Sequence, residues 1–239
     1  MLTAHFKKLR QRVSISREEE EAIKGLVSEV RPVREDVVLV QAGEPLSVSM
    51  LLIKGWVARI KDLPSGERQV TELHVPGDFI DLHGFTLKRL DHDVVTLSPA
   101  QVAIVPHERI QAMIDRLPRL GSVYWLMTNI DGAIKGEMAL SLGQRSALAR
   151  MAHLFCELNR RLRVVGISQQ DSYDFALTQR ELSECLGLTV VHANRTLQEL
   201  RRRGLIDLEA RRLSIRDVPR LEALAAFDPA YLHLDKRTI

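Results

Sequence analysis

The sequence is poor in several things, and each shortage excludes a class of protein. It has two cysteines in 239 residues, Cys156 and Cys185, far apart and without a Cys-x-x-Cys partner. A disulfide framework and a metal cluster held by several thiolates are therefore both disfavoured. Glycine and proline number only 13 and 9, and aromatics make up 5%, which argues against collagen-like, disordered and repeat-array chains. No apolar run approaches the 18 or so residues of a membrane span. The N-terminus carries Lys7, Lys8, Arg10 and Arg12, then Glu18 to Glu21, where a signal peptide would carry an apolar stretch, so a cytoplasmic location is expected. No P-loop, HExxH, dinucleotide fingerprint or nucleophilic triad occurs. What remains, 45% apolar and 27% charged, fits a globular chain of one or two domains.

The net charge of +3 is unevenly distributed. Residues 1–142 carry 18 Lys+Arg against 19 Asp+Glu, whereas residues 143–216 carry 13 against 8, and all 13 are arginine. Arginine grips phosphate bidentately, so the excess is placed to meet a polyanion if a motif presents it.

From about residue 30 to 105 the chain reads as strands. Short apolar or alternating runs (37–40, 50–53, 56–60, 70–75, 94–97, 102–105) are punctuated by Gly43, Gly55, Gly66 and Gly77, 12, 11 and 11 residues apart. Such spacing suits an antiparallel sandwich or barrel, and Pro64-Ser65-Gly66 marks a hairpin. A short helix near Arg17 to Val27 precedes the strands and another, His107 to Arg116, follows. From Arg119 a long helix begins, with Leu120, Val123, Met127, Ile130 and Ile134 at spacings of 3, 4, 3 and 4. That is a coiled-coil seam, expected to meet the same helix of a second copy, while Leu126, Ala133 and Leu140 on another face serve packing within the chain. After Ser141 to Gly143 a further amphipathic helix runs from Gln144 to Arg163, with Leu148, Met151, Phe155 and Leu158 inward.

Residues 177–206 read LTQRELSECLGLTVVHANRTLQELRRRGLI. Thr178 with Glu181 three residues on forms a capping box, Leu182 and Leu186 stripe a short helix, and Gly187 turns the chain. Thr189 caps a second helix with Ala193, Leu197 and Leu200 inward, and Gly204 stops it. Two short helices joined by a Gly-containing turn, with small Ser183 at the crossing, make a helix-turn-helix. Val190, Val191, His192, Asn194, Arg195 and Gln198 are left to face outward near the end that enters a major groove. Arginine pairs with guanine and Asn or Gln with adenine. Arg180 and Arg201 to Arg203 are placed for phosphates. Leu205 to Leu208 and Leu213 to Ile215, joined by 209–212, read as a wing.

The Gly-punctuated β-region with Gly77-Asp78-Phe79-Ile80, the long helix, and L-T-Q-x-E-L-x-x-x-L-G-L-T at 177–189 continued by N-R-T-L at 194–197 together resemble the Crp/Fnr family of bacterial transcription regulators. The resemblance covers nearly the whole chain. It implies an α+β fold divided into an antiparallel β-roll sensor (1–117), a dimerisation helix (118–142) and a winged helix-turn-helix (143–239). It further implies a homodimer on palindromic double-stranded DNA, RNA polymerase as a partner, and a small-molecule effector or cofactor sensed by the β-roll. Thr178, Gln179 and Thr189 fall where the family touches phosphate, as Arg180, Arg201 and Arg202 are expected to, and Val190, Val191, Asn194 and Arg195 where it reads bases.

Departures from the family pattern narrow the expectation. Val191 stands where many members place a cytosine-reading glutamate, so their target sequences do not transfer. Asp81-Leu82-His83-Gly84 replaces the ribose-holding Gly-Glu-Leu, and no Arg-Ser or Arg-Thr pair occurs near Leu90-Asp91-His92-Asp93, where Asp91 and Asp93 would repel a cyclic phosphate. Cyclic AMP is thus disfavoured, and so is an iron–sulfur cluster, since no cysteine precedes residue 156. His74, His83 and His92 match no metal spacing, and Cys156 and Cys185 read as packing residues. Two rival functions are a cupin-like metal enzyme using His74, His83 and Asp81, and a sensory module whose winged helix binds protein.

Overall fold

A computed structural model describes residues 1–237. The chain forms two compact units, one of residues 1–61, 72–132 and the segment from 233 onward, the other of residues 62–71 and 133–232. This differs from the linear division expected at 117 and 142. The long helix is shared between the units, and a hairpin tip from the β-region goes with the C-terminal residues.

The first unit opens with α1 (Thr3–Arg10) and α2 (Arg17–Gly25), the latter started by a capping box in which Ser16 Oγ accepts from Glu19 N and Glu19 Oε2 accepts from Ser16 N. Seven strands follow: β1 (Glu29–Val33), β2 (Val38–Val40), β3 (Val48–Lys54), β4 (Val57–Asp62), β5 (Arg68–His74), β6 (Asp93–Thr96) and β7 (Ala100–Pro106). They form sheets ordered β1-β7-β3 and β2-β6-β4-β5, with antiparallel registers such as Leu51↔Ala103 and Ala58↔Val95. Met50, Leu52, Val57, Ile80, Val94, Val102 and Ile104 meet in one core between them.

The Gly77-Asp78-Phe79-Ile80 motif is a structural device. Gly77 has φ +96°, and a Cβ there would lie 2.8 Å from the carbonyl carbon of Ala4, so only glycine lets α1 approach. Asp78 locks the turn by accepting from Val75 N and pairing with Lys8, Phe79 stacks edge-on against His5 and Tyr124, and Ile80 is fully buried. Burial holds the His5 ring down at about 4, in its neutral form.

Beyond a short turn α3 (Gly84–Leu87) and helix α4 (His107–Arg116), the chain enters α5 (Pro118–Gln144). Here one expectation is corrected. Leu120, Val123, Met127, Ile130 and Ile134, read above as a seam for a partner, are each at most 7% exposed within the single chain. The face left in solvent carries Ser122, Trp125, Asn129, Gly132, Gly136, Ala139 and Gly143, with Trp125 71% exposed and Leu126 beside it half-buried. The bulky stripe already has its partners inside the protein. Of the set assigned to internal packing, Leu140 is 48% exposed.

The second unit is built on α6 (Ala147–Val165), capped by Ser146 and stopped by Gly166 at φ +78°. Met151, Phe155 and Leu158 are fully buried, and Leu148 is half-buried. A three-stranded sheet of order β8-β10-β9 combines β8 (Ser172–Asp174), β9 (Ile206–Glu209) and β10 (Arg212–Ile215). Helices α7 (Gln179–Leu186), α8 (Val190–Arg202) and α9 (Val218–Ala225) complete it.

Candidate nucleic-acid interface

The helix-turn-helix is specified residue by residue. Thr178 and Glu181 form the expected capping box, with Thr178 Oγ1 accepting from Glu181 N at 3.2 Å and Glu181 Oε2 accepting from Thr178 N at 2.6 Å. Helix α7 buries Leu182, Ser183, Cys185 and Leu186. Ser183 donates to its own Arg180 carbonyl, so its hydroxyl is satisfied at the crossing. Gly187 adopts the left-handed conformation at φ +58°, and Thr189 Oγ1 caps α8 by accepting from His192 N. Ala193, Thr196, Leu197 and Leu200 anchor α8, and Gly204 at φ +66° ends it. The wing turns at Ala210 and Arg211, both at positive φ, which matches the twist of a two-residue hairpin.

Further contacts hold this pair of helices in place. Arg150 on α6 donates to the carbonyls of Ser141, Leu142 and Arg145 at the end of α5 and to Leu186 O at the helix-turn-helix turn. Gln69 Nε2, from the hairpin segment, donates to Glu184 O at 2.6 Å and Cys185 O at 3.4 Å. Neither Arg150 nor Gln69 stood out in the sequence, because a single polar residue bonding distant carbonyls leaves no periodic or motif signature.

The outward face of α8 differs sharply from its anchored face. Val190 and Val191 are 40% and 61% exposed, and His192, Arg195 and Gln198 are exposed with side chains that make no hydrogen bond or ion pair among the described residues. Asn194 is half-buried and donates from Nδ2 to Gln179 Oε1 at 2.7 Å, which ties the reading helix to the start of α7. Arg180 pairs with Glu184, and Arg202 and Arg203 both pair with Glu199, whose carboxyl they hold below the usual range. Arg201 is half-buried and makes no ion pair among the described residues. An open depression of about 650 Å³ borders Val191, His192 and Arg195 on one side and Ser146, Ala147 and Leu148, the start of α6, on the other. The face thus offers donors, apolar surface and exposed positive charge together.

Both cysteines are unbridged and buried. Burial pushes the Cys156 thiol up to about 12, and burial followed by Glu181 and Glu184 raises the Cys185 thiol well above its ordinary value.

In the β-roll, the residues at hand do not fit a cyclic nucleotide. The buried cation Arg59 is committed, pairing with Glu72 and donating from Nε to Ile80 O at 2.9 Å. The buried carboxyls of this region include Glu72, Asp78 and Asp81, the last accepting from Met50 N and pushed up to about 7 by burial. A phosphate beside Arg59 would therefore meet a guanidinium already neutralised by a carboxylate. The expectation that Asp91 and Asp93 would repel it is corrected. Asp91 has its side chain 78% exposed and bonded to Lys61 and His92, while Asp93 accepts from Ala42 N. Nor are His74, His83 and Asp81 assembled as a metal set: among the described residues no group of three His, Cys, Asp or Glu could hold an ion. His83 instead stacks on His92, centroids 5.3 Å apart.

Comparison with known proteins agrees with this construction. The cyclic nucleotide-binding domain family matches residues 30–117, and the Crp-like helix-turn-helix domain family matches residues 149–224. The transcriptional activator protein anr of Pseudomonas aeruginosa is 25% identical over 213 residues, covering 89% of this chain and 87% of that one. The anaerobic regulatory protein of Haemophilus influenzae is 23% identical, covering 93% and 86%. The structure of FixK2 from Bradyrhizobium japonicum superposes with a TM-score of 0.77 at 24% identity, covering 85% of this chain and all of that one. A winged helix-turn-helix joined to a β-roll of this kind defines a DNA-binding transcription regulator and not an enzyme. The chain belongs to the Crp/Fnr family.

Proposed function

We propose that this regulator acts as a homodimer on an inverted-repeat operator, with the α8 helices of two copies entering successive major grooves about 34 Å apart. The observation that carries the reading is the outward face of α8, where Arg195, His192 and Gln198 stand exposed and unpaired on a helix fixed by caps at both ends. Val190, Val191, His192, Asn194, Arg195 and Gln198 read base edges. Thr178, Gln179, Arg180, Thr189, Arg201 and Arg202 meet phosphates, Arg180 and Arg202 by exchanging their carboxylate partners for the DNA backbone. The subunits pair through the exposed face of α5, from Ser122 past Trp125, Asn129, Gly132 and Gly136 to Ala139 and Gly143, at the 3 and 4 spacing of a helix seam. RNA polymerase is the second macromolecular partner. The β-roll responds to a small molecule or cofactor other than cyclic AMP, a reading supported by Arg59, whose buried guanidinium is already neutralised by Glu72.

The test is selection of binding sites from a random duplex pool by the full chain at about 150 mM salt, where phosphate-only binding is weakened. The reading predicts enrichment of an inverted repeat with half-sites one helical turn apart. The selection is run with and without cell extract, which supplies any effector. No enrichment in either arm would overturn the assignment.

A further inference from the structure

We propose that Val191 reads the 5-methyl group of a thymine, so that one position of each half-site is recognised by an apolar contact and not by a hydrogen bond. The proposal rests on the DNA-reading assignment of α8 and names what that face recognises. Val191 is 61% exposed at the second residue of α8, with Val190 40% exposed before it. Neither side chain is needed to hold the helix, which is anchored by Ala193, Thr196, Leu197 and Leu200. A β-branched residue is also a poor helix former. Two valines in solvent at the tip of the helix therefore contribute nothing evident to the fold.

Valine has no donor or acceptor, so at the base edge it can distinguish only apolar features. Among the four base pairs the major-groove edge offers one such feature, the C5-methyl of thymine. The neighbouring residues fix where that thymine lies. Arg195 is four residues on, one turn along the same face, exposed and free of any ion pair among the described residues. A helix turn spans about 5.4 Å and a base-pair step about 3.4 Å. The methyl group recognised by Val191 thus lies one or two base pairs from the guanine that suits Arg195. Asn194 donates one amide hydrogen to Gln179 and keeps its Oδ1 and its second N–H, the pair that adenine requires.

The experiment uses the full chain and the operator recovered from the random pool. Each thymine is replaced singly by deoxyuridine, which deletes the methyl group and leaves every hydrogen-bonding atom in place. We expect one replacement per half-site to weaken binding about fourfold, the ~0.8 kcal/mol of one buried methyl. The same replacement should be neutral for Val191→Ala, an exposed change that does not lower the thermal unfolding temperature. Val191→Glu should shift the preferred base at that position to cytosine, whose N4 amino group donates to a carboxylate. Deoxyuridine that is neutral everywhere, or a penalty that Val191→Ala leaves unchanged, overturns the methyl readout while leaving the DNA-binding assignment intact. A pool that yields no preferred sequence in either arm overturns both.

Discussion

Helix α5 carries two stripes with the same spacing and opposite character. Leu120, Val123, Met127, Ile130 and Ile134 are bulky and buried in the chain, whereas Ser122, Trp125, Asn129, Gly132, Gly136, Ala139 and Gly143 are mostly small and lie in solvent. A large side chain on a helix face fills space that its own protein leaves, and a small one lets another backbone come near. In the homodimer proposed above, the two faces of one helix divide the work between folding a subunit and pairing it with a second.

The largest effect expected from breaking this division is on the bulky side. Ile130→Asp places an unpaired charge at a position 1% exposed, and should cost about 4 kcal/mol or more, shown by a fall in the urea midpoint of the dilute monomer. If Ile130→Asp left the monomer stable and only dissociated a dimer, the assignment of the two stripes would be reversed. Next in size is Trp125→Asp on the open side. Monomer stability should change by no more than about 0.5 kcal/mol, as for other exposed sites. The dimer dissociation constant should rise about 100-fold or more, because a two-fold interface loses the same anchor twice. Sedimentation at graded concentrations reads this, and an unchanged constant would remove Trp125 from the interface.

Between the stripes lies Asp131. Burial, and then the Glu72 carboxylate, push its carboxyl up to about 7. Because the folded value stands above the unfolded one near 4, this residue makes stability fall as pH rises from about 4 to 7 and leaves it level above that. Relative to Asp131→Asn, wild type should therefore be favoured more at pH 5.5 than at pH 8, as urea unfolding of the two at each pH reads. His5 and His153, both held at about 4 by burial, act in the opposite direction below their ordinary value and are common to both proteins, so comparing the two isolates Asp131. An equal difference in wild type and variant would place the titration elsewhere, with Asp81 the other carboxyl raised to about 7.

The α5 faces also mark the limit of what sequence discloses. Spacing of 3 and 4 with large apolar residues identifies a buried face but carries no information about which molecule covers it, so the stripe at 120–134 was expected against a partner. The glycines at 132 and 136, which sit badly in a helix on their own account, are the available signal for the face proposed to meet a partner. The helix-turn-helix was legible in detail because caps and left-handed glycines are local devices: Thr178, Gly187, Thr189 and Gly204 each act within a few residues. Helix α1 escaped notice because Phe6 and Leu9 lie among lysines and arginines that read as a charged tail. Strand β1 did so because Glu29, Arg31 and Pro32 break the apolar pattern, and β8 because three residues are too few to show one. The buried Arg59–Glu72 pair and the anchoring bonds of Gln69 and Arg150 depend on long-range proximity that no window of sequence contains.

The smallest effect is the sharpest test of the comparison, because its two parts have opposite signs. Within the chain, a Cβ added at Gly132 or Gly136 would meet no atom within 4 Å, and neither glycine has the positive φ that would strain another residue. Alanine at these positions should therefore stabilise the monomer by about 0.5–1 kcal/mol each, the ordinary gain from replacing a glycine inside a helix. If the glycines are there for the fold, the dimer should gain or hold steady with the monomer. If they are there so that two helices approach closely, each added methyl, present in both copies, must push the backbones apart, and dimer affinity should fall as monomer stability rises. Thermal unfolding at low concentration and sedimentation at higher concentration measure the two quantities separately. Changes of the same sign would assign the glycines no role in pairing, whereas opposed signs would locate the contact at 132 and 136 with the fold as an internal control.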